Sequence, residues 1–116
     1  MIGRSSPQVK VYVALGATDM RKSINGLSLI VAEQFELDLF AGHLFAFCNR
    51  RRDLVKILYW SENGFCILMK RLEEDVFRWP ESESEVMEIS RAALNWLLHG
   101  LDLRHAHRRL SYTAVY

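Results

Sequence analysis

Residues 9–13 alternate apolar and polar positions, with Lys10 and Tyr12 set between valines, the pattern of a short half-buried strand. Gly16-Ala-Thr-Asp19 breaks that pattern. Beyond it Met20, Ile24, Leu27, Val31 and Phe35 recur at three- and four-residue steps, which predicts a helix with one apolar face running to about Phe35. Thr18 or Asp19 is the expected N-cap. Two features count against an uninterrupted helix. Arg21 and Lys22 put positive charge in the first turn, the wrong sign for the helix dipole, and Asn25-Gly26 is also a turn dipeptide.

Residues 37–42 read as a loop. Strand-like segments follow at 44–48, 54–60 and 65–72. Residues 49–53 join the first two. Ser61-Glu-Asn-Gly64 joins the second pair, and its Asn-Gly step signals a tight turn. The middle segment is apolar on both faces, with Val55, Ile57 and Tyr59 on one and Leu54, Leu58 and Trp60 on the other. A central strand covered by helix has that character. Lys56 interrupts the second face and must reach water or a partner. Glu73-Glu-Asp75 makes a turn, residues 76–79 form a candidate edge strand, and Pro80 ends it. Residues 81–88 are acidic and read as a loop. Ser90 is the expected N-cap of a second helix, with Leu94, Leu97 and Leu98 on its inner face and Gly100 as its stop. The fold class predicted is α+β: a small antiparallel sheet, a three- to five-stranded meander, packed with one N-terminal and one C-terminal helix. There is no internal repeat.

With 116 residues, the chain is expected to form a single domain over 1–103 with a tail at 104–116. A hydrophobic share of 50% and a charged share of 25% are those of an ordinary globular protein. No apolar run is long enough to cross a bilayer, and residues 1–7 lack the apolar core of a signal peptide. A cytoplasmic location without a membrane partner is expected. Cys48 and Cys66 lie within predicted strands and read as free thiols acting as small hydrophobes. Neither has a histidine at zinc-ligand spacing.

Net charge is only +1 but unevenly spread. Residues 1–72 hold ten Lys or Arg against six Asp or Glu, residues 73–90 one against seven, and residues 91–116 four against one. The body is basic, one segment acidic and the tail basic. Arg50, Arg51 and Arg52 stand together on the predicted hairpin turn. Like charges held that closely repel unless something negative meets them, and a nucleic-acid backbone is the obvious partner; a solvated turn is the alternative. Arg21 and Lys22 extend the basic set. Lys56 and Lys70 project from neighbouring strands, with Arg71 beside Lys70, and a suitable register would bring the two lysines onto one face. Tyr12, Tyr59, Trp60 and Trp79 offer rings for stacking bases, or serve as core.

Signatures of catalysis are missing. There is no Gly-rich phosphate loop, no Gly-x-Ser-x-Gly elbow and no His-Glu-x-x-His. Asp19, Asp38, Asp53 and Glu62 match no metal-nuclease spacing. His105 and His107 in the tail read as incidental, and His43 and His99 as structural. No catalytic residue, metal or cofactor is expected.

Several blocks together resemble a known family. They are Val11-Tyr-Val-Ala14, Gly16, Thr18-Asp-Met-Arg-Lys22, Asn25-Gly-Leu27, Leu44-Phe-Ala-Phe47, Asn49-Arg-Arg-Arg-Asp53, Lys56-Ile-Leu58, Trp60, Gly64-Phe65, Lys70-Arg-Leu-Glu73, Phe77 and Trp79-Pro80. In order and spacing, over residues 9–103, they resemble the small accessory proteins called TnpB or Orf2 of the bacterial insertion-sequence family sixty-six. These are unrelated to the RNA-guided nuclease that shares the name TnpB. One departure is visible. The family usually has a glycine after the Leu-Glu pair, where this chain has Glu74-Asp75-Val76.

The resemblance implies a role in DNA transposition beside a larger, separate transposase that carries the catalytic site. The expected function is a non-enzymatic DNA-binding accessory. Its phosphate-contacting surface would be Arg50, Arg51, Arg52, Lys56, Lys70 and Arg71, extended by Arg21 and Lys22, and element ends are the candidate DNA. The alternative is a module that assembles the transposase without gripping DNA, docking through the acidic residues 73–88. Self-association through residues 110–116 stays open.

Overall fold

The computed structural model describes residues 9–81 and 86–100; the proposed tail at 104–116 lies outside them. Five strands form one sheet: β1 (Val11–Ala14), β2 (Leu44–Cys48), β3 (Leu54–Ser61), β4 (Gly64–Arg71) and β5 (Val86–Ile89). Their spatial order is β4-β3-β2-β1-β5. Helix α1 (Ile24–Leu29) continues into a π-helical turn (Ile30–Gln34), and α2 (Arg91–Leu98) follows β5.

The α+β class holds, but the sheet is mixed rather than an antiparallel meander. The pairs β2–β3, β3–β4 and β1–β5 are antiparallel, while β1 and β2 are parallel, with Val11 opposite Leu44 and Val13 opposite Ala46. The helical segment between β1 and β2 makes this possible, because parallel neighbours need a crossover rather than a hairpin.

Strand β2 is central and buried along its whole length. One face of the sheet, formed by Val11, Val13, Leu44, Ala46, Cys48, Val55 and Ile57, packs on Leu94 and Leu97 of α2 and on Phe77 and Trp79. The other face, formed by Ala14, Phe45, Phe47 and Leu58, packs on Leu27 and Val31 of the α1 segment. Full burial of such aliphatic side chains contributes roughly 1.5–3 kcal/mol each. Ile24, Ile30 and Phe35, partly buried, extend the contact of the first helix with the sheet.

Several sequence expectations shift. The first helix starts at Ile24 rather than near Asp19. Asp19 is no N-cap: its carboxylate accepts the Arg21 backbone N–H at 2.9 Å in a turn of its own. The cationic pair Arg21-Lys22 thus stays out of the helix, as the dipole favours. Residues 76–79 are not a strand. They run extended across the end of the sheet, and the edge strand is Val86–Ile89, within the stretch expected to be a loop. The loop between β3 and β4 is Glu62-Asn63, one residue earlier than the Asn-Gly signal suggests, since Ser61 pairs with Gly64. Ser90 caps α2 as expected, accepting the Ala93 N–H at 3.0 Å, and Gly100 ends it with φ +81°. His43 and His99 serve the backbone, His43 Nδ1 accepting the Lys10 N–H at 3.1 Å and His99 Nδ1 lying 2.8 Å from the Asn95 carbonyl. Both cysteines are free thiols.

Asp75 lies in the Glu74-Asp75-Val76 stretch that departs from the resembling family, and its φ is +72°. Its own carboxylate accepts the Val76 N–H at 2.8 Å, which suits a short polar residue to the left-handed region. Asp75→Gly should leave the melting temperature unchanged or raise it. Asp75→Val should lower stability by roughly 1–2 kcal/mol, read by urea unfolding.

Candidate nucleic-acid interface

The parallel strands β1 and β2 end side by side, at Ala14 and Cys48. The loops that follow them are pinned together there. The Thr18 N–H donates to the Cys48 carbonyl at 2.8 Å. Between the loops lies an open cleft of about 440 Å³ lined by Ala17, Thr18, Asp19, Met20, Asn49, Arg50 and Arg51.

The arginine turn is rigid because Asn49 organises it. Asn49 Oδ1 accepts the N–H groups of Asp53 and Leu54 at 3.0 and 3.1 Å, and its Nδ2 donates to the Asp53 carboxylate at 2.6 Å. The Arg52 N–H closes back on the Asn49 carbonyl at 3.1 Å. Arg52 then takes φ +65°, a position that favours glycine. Its side chain accounts for the non-glycine residue. The guanidinium donates to the Gly16 carbonyl at 3.1 Å and pairs with Glu81, with the side chain only 17% exposed. Arg52 thus ties the turn to the β1 loop and to the segment after Pro80.

The three arginines therefore divide. Arg50 and Arg51 are exposed and have no carboxylate partner among the described residues. Arg52 is committed inward. Lys56 is committed as well: its ammonium donates to the carbonyls of Met20 and Lys22 at 2.9 and 3.0 Å, holding the β1 loop in shape. Lys22 is exposed, and its stem passes over Gly26, where an added Cβ would meet the Lys22 Cβ at 3.0 Å. Arg21 is exposed and clasps Asp19, guanidinium to carboxylate, at 2.8–3.2 Å. That clasp holds the Asp19 carboxyl well below the usual carboxylate range, so Asp19 stays ionised and its charge is answered locally.

Lys56 and Lys70 do not share a face. Lys56 stands opposite Met69 and Lys70 opposite Val55, so the two lysines project from opposite sides of the sheet. Lys70 donates to the Leu98 carbonyl at the end of α2, at 2.7 Å, and Arg71 pairs with Glu73. The aromatics separate too. Trp79 is core, its Nε1–H donating to the Ala14 carbonyl at 2.8 Å. Tyr12 stacks on Phe45. Trp60 meets Phe40 and Phe65 at the end of β3 remote from the arginine turn. Burial pushes the Cys48 thiol up to about 11, against the pull of the neighbouring Arg52, so it is no nucleophile at neutral pH.

One basic residue beside the arginine turn escaped the sequence reading. Arg78 is exposed between buried Phe77 and Trp79, and the Phe77 N–H donates to the Arg52 carbonyl at 2.7 Å. The Phe-Arg-Trp alternation carried the signal.

The family model for IS66 Orf2-like proteins matches residues 9–108. The chain belongs to the IS66 Orf2-like family. Among similar curated proteins is "Uncharacterized protein y4hO" of Sinorhizobium fredii (strain NBRC 101917 / NGR234), 40% identical over 111 residues that cover 96% of each chain. A second from the same organism, "Uncharacterized protein y4jC", is 29% identical over 109 residues, covering 94% of this chain and 92% of that one. No solved structure matches. Family membership assigns the chain to the transposition-associated accessory proteins of these elements. Among the described residues no helix is long and apolar enough to cross a membrane, and no cluster of acidic, His or Cys side chains could hold a metal ion.

The division of labour among the arginines has a measurable consequence. Arg52→Ala strips a largely buried cation from Glu81 and the Gly16 carbonyl, and should cost about 2 kcal/mol in urea unfolding. Arg50→Ala and Arg51→Ala should each stay within roughly 0.5 kcal/mol of the parent.

Proposed function

We propose that this protein is a non-enzymatic DNA-binding accessory of transposition, acting beside a separate transposase. It grips the phosphate backbone with the pair of loops at the ends of β1 and β2. The observation that carries this reading is the exposed pair Arg50 and Arg51, held by Asn49 on a rigid turn over an open cleft. Lys22 and Arg21 flank that cleft, and Arg78 extends the same end of the molecule. Arg52 and Lys56 support the surface by shaping its two loops. Lys70 and Arg71 stand at the end of β4 beside the base of the turn, Arg71 opposite Leu54, but Lys70 donates to the Leu98 carbonyl and Arg71 pairs with Glu73, so they are left out of this contact set.

A turn already braced in the free protein meets phosphates without much ordering cost on binding. Guanidinium groups suit phosphate through paired N–H donors. Contacts of this kind position a protein on DNA and carry no base sequence by themselves. Preference for an element end would then come from the transposase or from DNA shape.

Fluorescence anisotropy with a duplex of the element's terminal inverted repeat, and with a scrambled duplex, tests the reading across a salt series. The parent should bind both, with an affinity that falls steeply as salt rises. Arg50→Ala with Arg51→Ala should weaken binding to both duplexes and lower the slope of log K against log salt by about 2. Absence of binding by the folded parent at moderate salt would overturn the reading in favour of a transposase-assembly module, which a pull-down with the transposase at high salt would detect.

A further inference from the structure

The two edges of the sheet differ in kind. Strand β5 is a short edge of four residues with exposed Glu88. Strand β4 is an edge of eight residues, Gly64–Arg71, paired to β3 at every position without a bulge and without proline. Short strands, bulges, prolines and inward charges are the usual protection of an edge. Residues 64–69 have none of these.

The pairing also sets which backbone groups are unused. Ser61 and Gly64 flank a two-residue loop and form the closing hydrogen-bonded pair of the hairpin. By alternation Phe65, Ile67, Met69 and Arg71 turn their N–H and C=O groups away from β3. Among the described residues no strand meets them. Apolar side chains border this row on both sides of the sheet. Leu68, on the α2 side, is 44% exposed, and Met69, on the α1 side, is 61% exposed.

We propose that β4 is the interface for a second copy of this chain, pairing antiparallel with its own counterpart across a two-fold axis at Ile67. The edge is self-complementary in that orientation. Met69 of each copy meets Phe65 of the other, a sulfur–aromatic contact, and Leu68 meets Cys66. The backbone of Lys70 and Arg71, whose side chains are held by the Leu98 carbonyl and Glu73, lies against the mate's hairpin turn. A parallel arrangement would instead stack the cations of the two copies, which is unfavourable for directly opposed like charges.

The dimer does not rest on the DNA reading, but it bears on it. At about 3.3 Å per residue and 4.8 Å between strands, the axis sets the two Arg50–Arg51 turns at opposite ends of the joined strands, roughly 40 Å apart. Pairing by one strand is a small interface, at the weak end of specific contacts. A weak, concentration-dependent monomer–dimer equilibrium is the expected behaviour.

Sedimentation equilibrium on the full chain without DNA tests this, over roughly 1–200 µM. The mass should rise with concentration from 13.5 kDa toward twice that value. Met69→Pro removes one outward N–H and leaves the β3 ladder intact, while Met69→Lys charges the edge and keeps the backbone donor. Each should lower association at least tenfold with the circular dichroism spectrum and melting temperature of a folded protein. The pair of substitutions guards against one of them simply misfolding. A parent that remains monomeric throughout overturns the proposal and leaves the edge to another occupant, such as residues 101–116 of the same chain. A dimer that persists in both folded variants also overturns it. Anisotropy with the duplexes above then separates the ideas: dimerisation can fail while Arg50 and Arg51 still bind DNA, and the reverse.

Discussion

The arrangement depends on one crossing. After β4 the chain must reach the opposite edge of the sheet, where β5 pairs with β1, and it does so by running residues 72–81 over the strand ends. Its hydrogen bonds fall in sequence along the way. The Leu72 N–H donates to Asp53, the Phe77 N–H to Arg52, and the Trp79 Nε1–H to Ala14, while the Gly16 N–H donates to Pro80. Phe77 and Trp79 drop into the core beneath. The crossing thereby clamps the hairpin turn and the β1 loop in one motion of the chain, and it builds the very end of the molecule that carries the exposed cations.

A single basic turn serves two purposes there. Arg52 spends its charge inside, on Glu81 and a carbonyl, and accepts a left-handed backbone conformation to do so. The adjacent Arg50 and Arg51 are thereby held outward. Lys56 acts in the same manner from the sheet, donating to two loop carbonyls. Structural cations behind and exposed cations in front give a positive surface that is braced by the protein's own hydrogen bonds.

The far edge is a separate matter. A covered face and an open edge are independent features of a sheet, and helix α2 covers the face while its last turn meets β4 through Lys70. The hydrogen-bonding row of β4 runs along the sheet edge, and its Arg71 end stands beside the base of the arginine turn, opposite Leu54.

Much was legible in the chain itself. Strands β2, β3 and β4, the two-faced burial of β3, the Ser90 cap, the Gly100 stop and the triple-arginine turn all follow from local patterns of alternation, capping and turn chemistry, which need no distant partner. Family membership was also present in the linear motifs. Tertiary structure alone decided the rest. The parallel pairing of β1 with β2 and the placement of β5 on the far edge arise from contacts distant in sequence. The start of the first helix depended on Lys56, whose ammonium holds the Met20 and Lys22 carbonyls in a turn, and on Asp19, which took Arg21 rather than a helix end. The fate of each cation was decided the same way. Arg50, Arg51 and Arg52 are identical in composition and consecutive in sequence. They differ only because Gly16 and Glu81, brought from 36 and 29 residues away, stand beside one of them.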